Sequence, residues 1–249
     1  MSQALKGKVA LVTGGSRGIG AAIAKRLAAD GADVIISYSA SPDRAAGVVK
    51  DIENSGARGF AIKADQADGK QVEALVTEAV KKFGRLDILV NNAGVYETSA
   101  VTDTDTDLAA LRRQLAINVE AVATAVRTAV PHLPEGGRII SIGSVLGERI
   151  AFPGVADYGA TKAAVAAYTK GWARDLGLKG IRVNTVQPGP IDTEMNPADG
   201  EFADHVKAMV PLGRYGKAEE IAGAVAFLAG PDATYISGTT LTVDGGLNA

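Results

Sequence analysis

The chain contains no cysteine, which excludes disulfides, thiol nucleophiles and cysteine-ligated metals. Histidine occurs only at His132 and His205. The two stand far apart and without a ligand spacing, so no metal site is expected. No apolar run approaches the roughly 18–20 residues that a membrane span needs. The stretch Met1-Ser2-Gln3-Ala4-Leu5-Lys6-Gly7-Lys8 lacks the apolar core of a secretory signal. A soluble, cytoplasmic protein is the expectation. An excess of one charge is missing as well: 26 Lys and Arg stand against 28 Asp and Glu, a net charge of −2. That balance offers no attraction to nucleic acid or to an anionic membrane. Linkers, low-complexity tracts and long charge runs are absent, so residues 1–249 read as a single domain. The acidic run Asp103-Thr104-Asp105-Thr106-Asp107 lacks the glycine and closing glutamate of a calcium loop. It reads instead as a supply of N-caps for a helix starting near Leu108.

What is present is alternation. Short runs rich in Val and Ile predict strands at 9–12, 33–37, 59–63, 86–90, 138–142, 181–186 and 239–243. They are apolar on both faces, as strands covered on both sides must be. Between them, helical spacing predicts helices near 18–30, 43–55, 69–83, 106–130, 157–178 and 218–229. Repeated strand–helix units imply an α/β fold, a doubly wound seven-stranded parallel sheet flanked by helices. The stretch 191–215, with Pro197, Gly200, Pro211 and Gly213, breaks the rhythm after a strand end. It reads as a substrate lid, because ligands of open α/β sheets sit at that edge.

The first unit is the most informative. Val9–Val12 runs into Thr13-Gly14-Gly15-Ser16-Arg17-Gly18-Ile19-Gly20 and then into a strong helix former, Ala21–Ala29. Strand, glycine turn and helix together point unpaired helix N–H groups at a phosphate. Glycine is required where a Cβ would block the backbone's approach to the anion. Later in the chain, Ile139-Ile140-Ser141-Ile142-Gly143-Ser144 ends a strand in a hydroxyl. Tyr158 and Lys162 are four apart and share one helix face. An ammonium beside a phenol favours the phenolate and lowers its pKa from about 10. The pair then suits general acid–base work, with a serine hydroxyl to meet charge on a carbonyl oxygen.

These motifs, in this order, resemble the short-chain dehydrogenases/reductases. Thr13–Gly20 is similar to that family's TGxxxGxG turn, Asn91-Asn92-Ala93-Gly94 to its NNAG stretch, and Ser144 with Tyr158 and Lys162 to its Ser…YxxxK signature. Asn118 falls where the family has its catalytic asparagine, and Pro188-Gly189-Pro190-Ile191-Asp192-Thr193 is similar to its PGxxxT segment. Ser237-Gly238 through Asp244-Gly245-Gly246 resembles the family ending. The resemblance covers nearly the whole chain and implies a Rossmann-type fold. It also implies hydride transfer between a nicotinamide cofactor and a ketone or secondary alcohol.

On that resemblance Tyr158 is the proton donor or acceptor. Lys162 lowers its pKa and holds the nicotinamide ribose, Ser144 bonds the substrate oxygen, and Asn118 positions a water beside Lys162. Cofactor contacts are implied for Gly14, Ser16, Arg17, Gly18, Ile19 and Gly20 in the turn. They are also implied for Tyr38 and Ser39 after the second strand, and for Asn91, Ala93 and Gly94 on the adenosine side. Pro188, Gly189, Ile191 and Thr193 would lie near the nicotinamide. Asp65 matches the acid that binds the adenine amino group, with a helix N-cap as its alternative. Substrate walls are expected from Ser144, Tyr158, Leu146, Tyr96, Val155 and Met195, together with Val95, Phe152, Phe202 and Met209. The second strand ends Ile36-Ser37-Tyr38-Ser39 without a carboxylate. A 2′-phosphate therefore meets no repulsion there, and Arg17 is placed to pair with it. NADPH is the expected cofactor, with NADH still possible.

The apolar walls suit an aliphatic or aryl carbonyl, which makes a carbonyl reductase the first reading. A 3-oxoacyl-[acyl-carrier-protein] reductase, with acyl carrier protein as partner, is the second. An NAD-dependent secondary alcohol or sugar dehydrogenase is the third, and a dinucleotide-binding sensor the non-enzymatic one. The resemblance further implies a homotetramer or homodimer formed through the helices near 106–130 and 157–178.

Overall fold

Residues Val9–Val12 form β1, and all four are buried. Their side chains divide between two cores. Ala10 and Val12 join one cluster and Val9 and Leu11 the other, because successive residues of a strand face opposite sides of the sheet. The same division runs through β2 (Asp33–Tyr38), β4 (Ile88–Asn91) and β5 (Arg138–Ile142), where Ile35, Leu89 and Ile139 face one core and Ile36, Val90 and Ile140 the other. Strands β3 (Gly59–Lys63), β6 (Arg182–Pro188) and β7 (Thr240–Val243) complete a sheet of seven. This computed structural model describes residues 3–249.

The strand order is β3-β2-β1-β4-β5-β6-β7, and every pairing is parallel. The chain winds outward from β1 to β3, then returns to place β4 on the other side of β1. The crevice between the carboxyl ends of β1 and β4 is the topological switch point, where open α/β sheets bind ligands. Helices α1 (Gly18–Ala29) and α2 (Pro42–Asn54) cover one face together with α8 (Ala218–Ala229). The other face is covered by α3 (Gly69–Phe83), α5 (Ala121–Ala129) and α6 (Ala156–Leu176).

The expected elements are found with instructive differences. Helix α3 keeps its expected bounds, capped by Asp68, whose carboxylate accepts from the amides of Lys70 and Gln71, and closed by Gly84 in the left-handed region. The helix expected over 106–130 is three pieces. Asp107 caps α4 (Leu108–Leu115), a π-helical turn follows over Ala116–Glu120, and α5 then ends before Pro131. A π turn inserts one extra residue without breaking the axis, so the apolar pattern reads as continuous across it. The stretch 191–215 is not wholly irregular, since α7 (Ala203–Met209) lies within it. Seven residues are too few to show a helical period between Gly200 and Pro211. Among the described residues no helix is long and apolar enough to cross a membrane.

The switch point is held by a small polar rivet. Thr13, 3% exposed, follows β1, and its hydroxyl accepts the amides of Asn92 and Ala93, each at 3.0 Å. Asn92 returns the contact, donating from Nδ2 to the carbonyls of Thr13 at 2.9 Å and Gly14 at 3.1 Å. Replacing Thr13 by Val keeps the volume and leaves two amides without this acceptor, at a cost of about 1–3 kcal/mol. We expect Thr13→Val to lower the melting temperature by about 2–12 °C. An unchanged melting temperature in a thermal scan would show that the rivet does not hold the switch point.

Candidate active site

A cleft of about 500 Å³ opens at the carboxyl edge of the sheet and runs across the switch point. One wall is the glycine turn. Ser37 at the end of β2 accepts the Gly14 amide on its hydroxyl at 3.1 Å, which draws the turn toward β2. Gly14 has φ +64°, and a Cβ there would stand 2.9 Å from the Ala93 Cα, so no other residue fits without movement. The residue before α1, Arg17, is extended and makes no side-chain cap. The first N–H groups of α1 are therefore not spent on a side-chain cap and face the groove lined by Ser16, Arg17, Gly18, Ile19 and Gly20. This is a cradle for an anion, shaped by glycine and charged by the helix end.

The far end of the groove is lined by Tyr38, Ser39, Ala40 and Ser41, with no acid at the end of β2. Asp65 lies beside them, and its carboxylate pairs with Arg113 at 2.8 and 3.2 Å. That hydrogen bond from Arg113, helped by the Ala67 amide, holds the Asp65 carboxyl below the usual range. The N-cap alternative for Asp65 is overturned, because Asp68 occupies the cap of α3. Asp65 instead fixes the approach to the groove together with Arg113 from α4. Arg113 carried no motif in the sequence, and only the packing of α4 brings it here.

The other wall carries Ser144, Tyr158 and Lys162. Ser144 follows β5 in extended backbone, and its Oγ accepts the Leu146 amide at 3.2 Å. The short turn Val145–Gly147 then lies against α6. A Cβ on Gly147 would meet the backbone of Lys162 and Ala163 at 2.8 Å, so glycine permits this close seat. Tyr158 and Lys162 stand on successive turns of α6 and face the cleft with Ser144. The Tyr96 ring packs edge-on against Tyr158, with centroids 4.8 Å apart at 83°. Leu146, Phe152, Met195 and Met209 add apolar surface around them.

The electrostatics differ from the expectation. Burial raises the Tyr158 phenol to about 12, against a lowering hydrogen bond from Ser144, and Lys162 does not pull it down. The Lys162 ammonium is turned onto the Ile142 carbonyl, donating at 3.0 Å, and lies 5.6 Å from the Tyr158 ring centroid. Burial lowers Lys162 itself to about 8. An ammonium whose nearest acceptor is a neutral carbonyl pays for desolvation with no countercharge.

Four expected site residues, Asn91, Asn118, Val155 and Phe202, do not line it. Asn91 ends β4 buried, its Nδ2 donating to the Ser141 hydroxyl at 3.3 Å inside the sheet. The strand's alternation turns Asn91 inward, and the backbone of Asn92, Ala93 and Gly94 takes the groove. Val155, 1% exposed, is packed beneath the start of α6, where its carbonyl accepts the Gly159 amide. Phe202 is also away from the cleft, exposed just before α7. Asn118 sits in the π turn behind Gly94. Its side chain both donates to and accepts from the Val95 backbone at 2.9 Å, and it donates to Thr161 at 3.2 Å. It therefore braces the cleft floor. A Cβ on Gly94 would lie 3.3 Å from the Asn118 Oδ1 and 3.5 Å from the Lys162 Nζ, which places the three together.

The displaced Lys162 and Tyr158 give this wall a dependence of stability on pH. Lys162, lowered to about 8, binds fewer protons folded than unfolded between pH 8 and its ordinary value of 10.5, so stability rises with pH through that window. Tyr158, raised to about 12, works in the opposite sense above pH 10. Urea midpoints measured from pH 7 to 10 should climb between pH 8 and 10 in the wild type and less in Lys162→Met. Parallel profiles for the two proteins would refute a buried, unpaired ammonium.

A family model described as enoyl-(acyl carrier protein) reductase matches residues 14–248. A short-chain dehydrogenase from Burkholderia cenocepacia, solved in complex with NADP, superposes with a TM-score of 0.97 at 52% identity and covers 99% of this chain and 100% of its own. The cyclic-di-GMP-binding biofilm dispersal mediator protein of Escherichia coli is 43% identical over 99% of both chains. A 3-oxoacyl-[acyl-carrier-protein] reductase of Staphylococcus aureus is 41% identical, over 96% of this chain and 98% of its own. With the glycine turn, the switch-point cleft and the Ser144–Tyr158–Lys162 wall in one fold, the chain belongs to the short-chain dehydrogenase/reductase family.

Proposed function

We propose that the protein is an NADPH-dependent carbonyl reductase. The observation that carries this reading is the meeting of Ser144, Tyr158 and Lys162 in the same cleft as the glycine cradle. The cradle fits a dinucleotide: the Gly14 position tolerates no Cβ, and the first turn of α1 holds N–H groups toward the groove. Gly14–Gly20 would hold the pyrophosphate, Lys162 the nicotinamide ribose, and Pro188, Gly189, Ile191 and Thr193 the nicotinamide end. The absence of an acid at the end of β2 favours the phosphorylated cofactor, as does the NADP found in the Burkholderia relative.

A nicotinamide held there would supply the hydride. The chain's own residues do the rest. A phenol raised to about 12 is protonated at neutral pH, so Tyr158 is ready to give its proton to a carbonyl oxygen. Ser144 donates a hydrogen bond to that same oxygen as its charge builds. With a hydride supplied to the carbonyl carbon, the Tyr158 proton would complete the CH–OH of the alcohol. Lys162 and the solvent beyond it return the proton to Tyr158, with Asn118 keeping the passage beside Gly94 in shape.

Tyr96, Leu146, Phe152 and Met195 give the substrate pocket an apolar, partly aromatic wall. An aryl or alkyl ketone suits it better than a polyhydroxy sugar. The carrier-protein reductase reading draws on the Staphylococcus aureus relative, with Arg127, Arg174 and Lys179 as the basic groups available to an acidic carrier. Assays with the free ketone, the 3-oxoester and the carrier-bound thioester separate the two.

Tyr158→Phe should reduce the rate of ketone reduction by about 10²–10⁴-fold, with NADPH binding retained by fluorescence titration. Undiminished turnover in that variant would overturn the assignment. Retained NADPH binding with no turnover of any carbonyl in the wild type would favour the nucleotide-sensor reading instead. Arg17→Ala should raise the Michaelis constant for NADPH more than that for NADH. Equal changes would remove Arg17 from phosphate recognition.

A further inference from the structure

At the mouth of the groove one carboxylate bridges two guanidinium groups. Glu194, just past Thr193, lines the cleft and accepts from Arg44 at 2.5 and 2.6 Å and from Arg17 at 3.4 Å. The three residues come from separate pieces of the fold. Arg17 belongs to the glycine turn, Arg44 to the first turn of α2, and Glu194 to the segment that follows β6. The hydrogen bond from Arg44, and secondarily the charges of both arginines, hold the Glu194 carboxyl below its usual range.

We propose that Glu194 is a built-in competitor for the cofactor's ribose phosphate, and so a determinant of how strongly the protein distinguishes NADPH from NADH. The inference rests on the cofactor reading above. Arg44 lies three residues past Ser41, the last of the Tyr38–Ser41 stretch that lines the groove, and on the cofactor reading above that stretch faces the ribose where the two cofactors differ. Two guanidinium forks aimed at one anion are the arrangement that takes a phosphate, and here they hold a carboxylate instead. A phosphate monoester brings nearly two charges and three acceptor oxygens, where the carboxylate brings one charge and two oxygens. The two anions cannot share the site, because like charges in contact repel.

NADPH must therefore displace Glu194, whereas NADH has no group that claims the arginines. All three side chains are about half exposed, at 59%, 51% and 56% for Arg17, Arg44 and Glu194. Solvent screening keeps such a bridge weak, so a bound cofactor can open it. Displacement also unties the segment carrying Thr193 and Met195 from α2. Occupancy of the phosphate site is thereby coupled to the freedom of the substrate lid.

Dissociation constants for NADPH, NADH and adenosine 2′,5′-bisphosphate are to be measured by calorimetry on the whole chain. Glu194→Gln should tighten NADPH and the bisphosphate by about two- to fivefold, with NADH changed by less than that. In an Arg44→Ala background the same substitution should lose most of its gain, because the competition acts through Arg44. If Glu194→Gln leaves the ratio of NADH to NADPH affinity unchanged, or weakens NADPH, the competitor role is overturned while the cofactor reading stands. If the wild type binds none of the three ligands, the cofactor reading itself falls, and the inference with it.

Discussion

The parallel sheet must change direction once, and everything in the cleft depends on how that change is sealed. At the switch between β1 and β4 the backbone leaves the ladder, and its amides need new partners away from water. Thr13 and Asn92 provide them, each bonding to the backbone around the other. Because the seal is made by short side chains, the glycine turn and the stretch Ala93-Gly94 come close enough for Gly14 to admit no Cβ beside Ala93. The groove owes its shape to that closeness. A longer polar side chain in place of Thr13 would push the two strand ends apart and fill the space a dinucleotide needs.

The opposite wall is organised by an uncompensated charge. Lys162 is buried against a backbone carbonyl with no carboxylate to balance it. A structural lysine would be paired or reach for solvent. Holding an ammonium in this state costs stability, and sites that carry such costs are where function concentrates. Tyr158 is likewise moved by burial, and in the direction that keeps its proton. The two displacements share one cause: burial of both side chains disfavours the phenolate and the ammonium alike. Tyr96 adds to that burial by packing against the Tyr158 ring.

Much of this was legible in the chain. The alternating strand and helix patterns predict the seven-stranded sheet because buried parallel strands must be apolar on both faces. Glycine at 14, 18 and 20 signals a phosphate turn because only glycine meets its steric terms. The spacing of Tyr158 and Lys162 predicts a shared helix face, and α6 provides it. The boundary errors have equally plain causes. The π turn at Ala116–Glu120 leaves the apolar pattern nearly intact, and α7 is too short to show a period. Asn91 was expected at the groove from its place in a motif, yet strand alternation sends its side chain into the sheet and leaves the groove to the backbone beyond it.

The order of elements, the places where glycine is obligatory and the chemical type of each reactive group are properties of local sequence, set by steric limits and periodicity within a few residues. Contacts between distant segments are not. The pairing of Asp65 with Arg113, the bridge from Glu194 to Arg17 and Arg44, and the turning of Lys162 onto Ile142 each join residues that no local pattern connects. Nor does the chain alone announce the direction of the Tyr158 shift. Neighbouring charge and burial push a phenol in opposite directions, and only the folded packing determines how much water remains to decide between them.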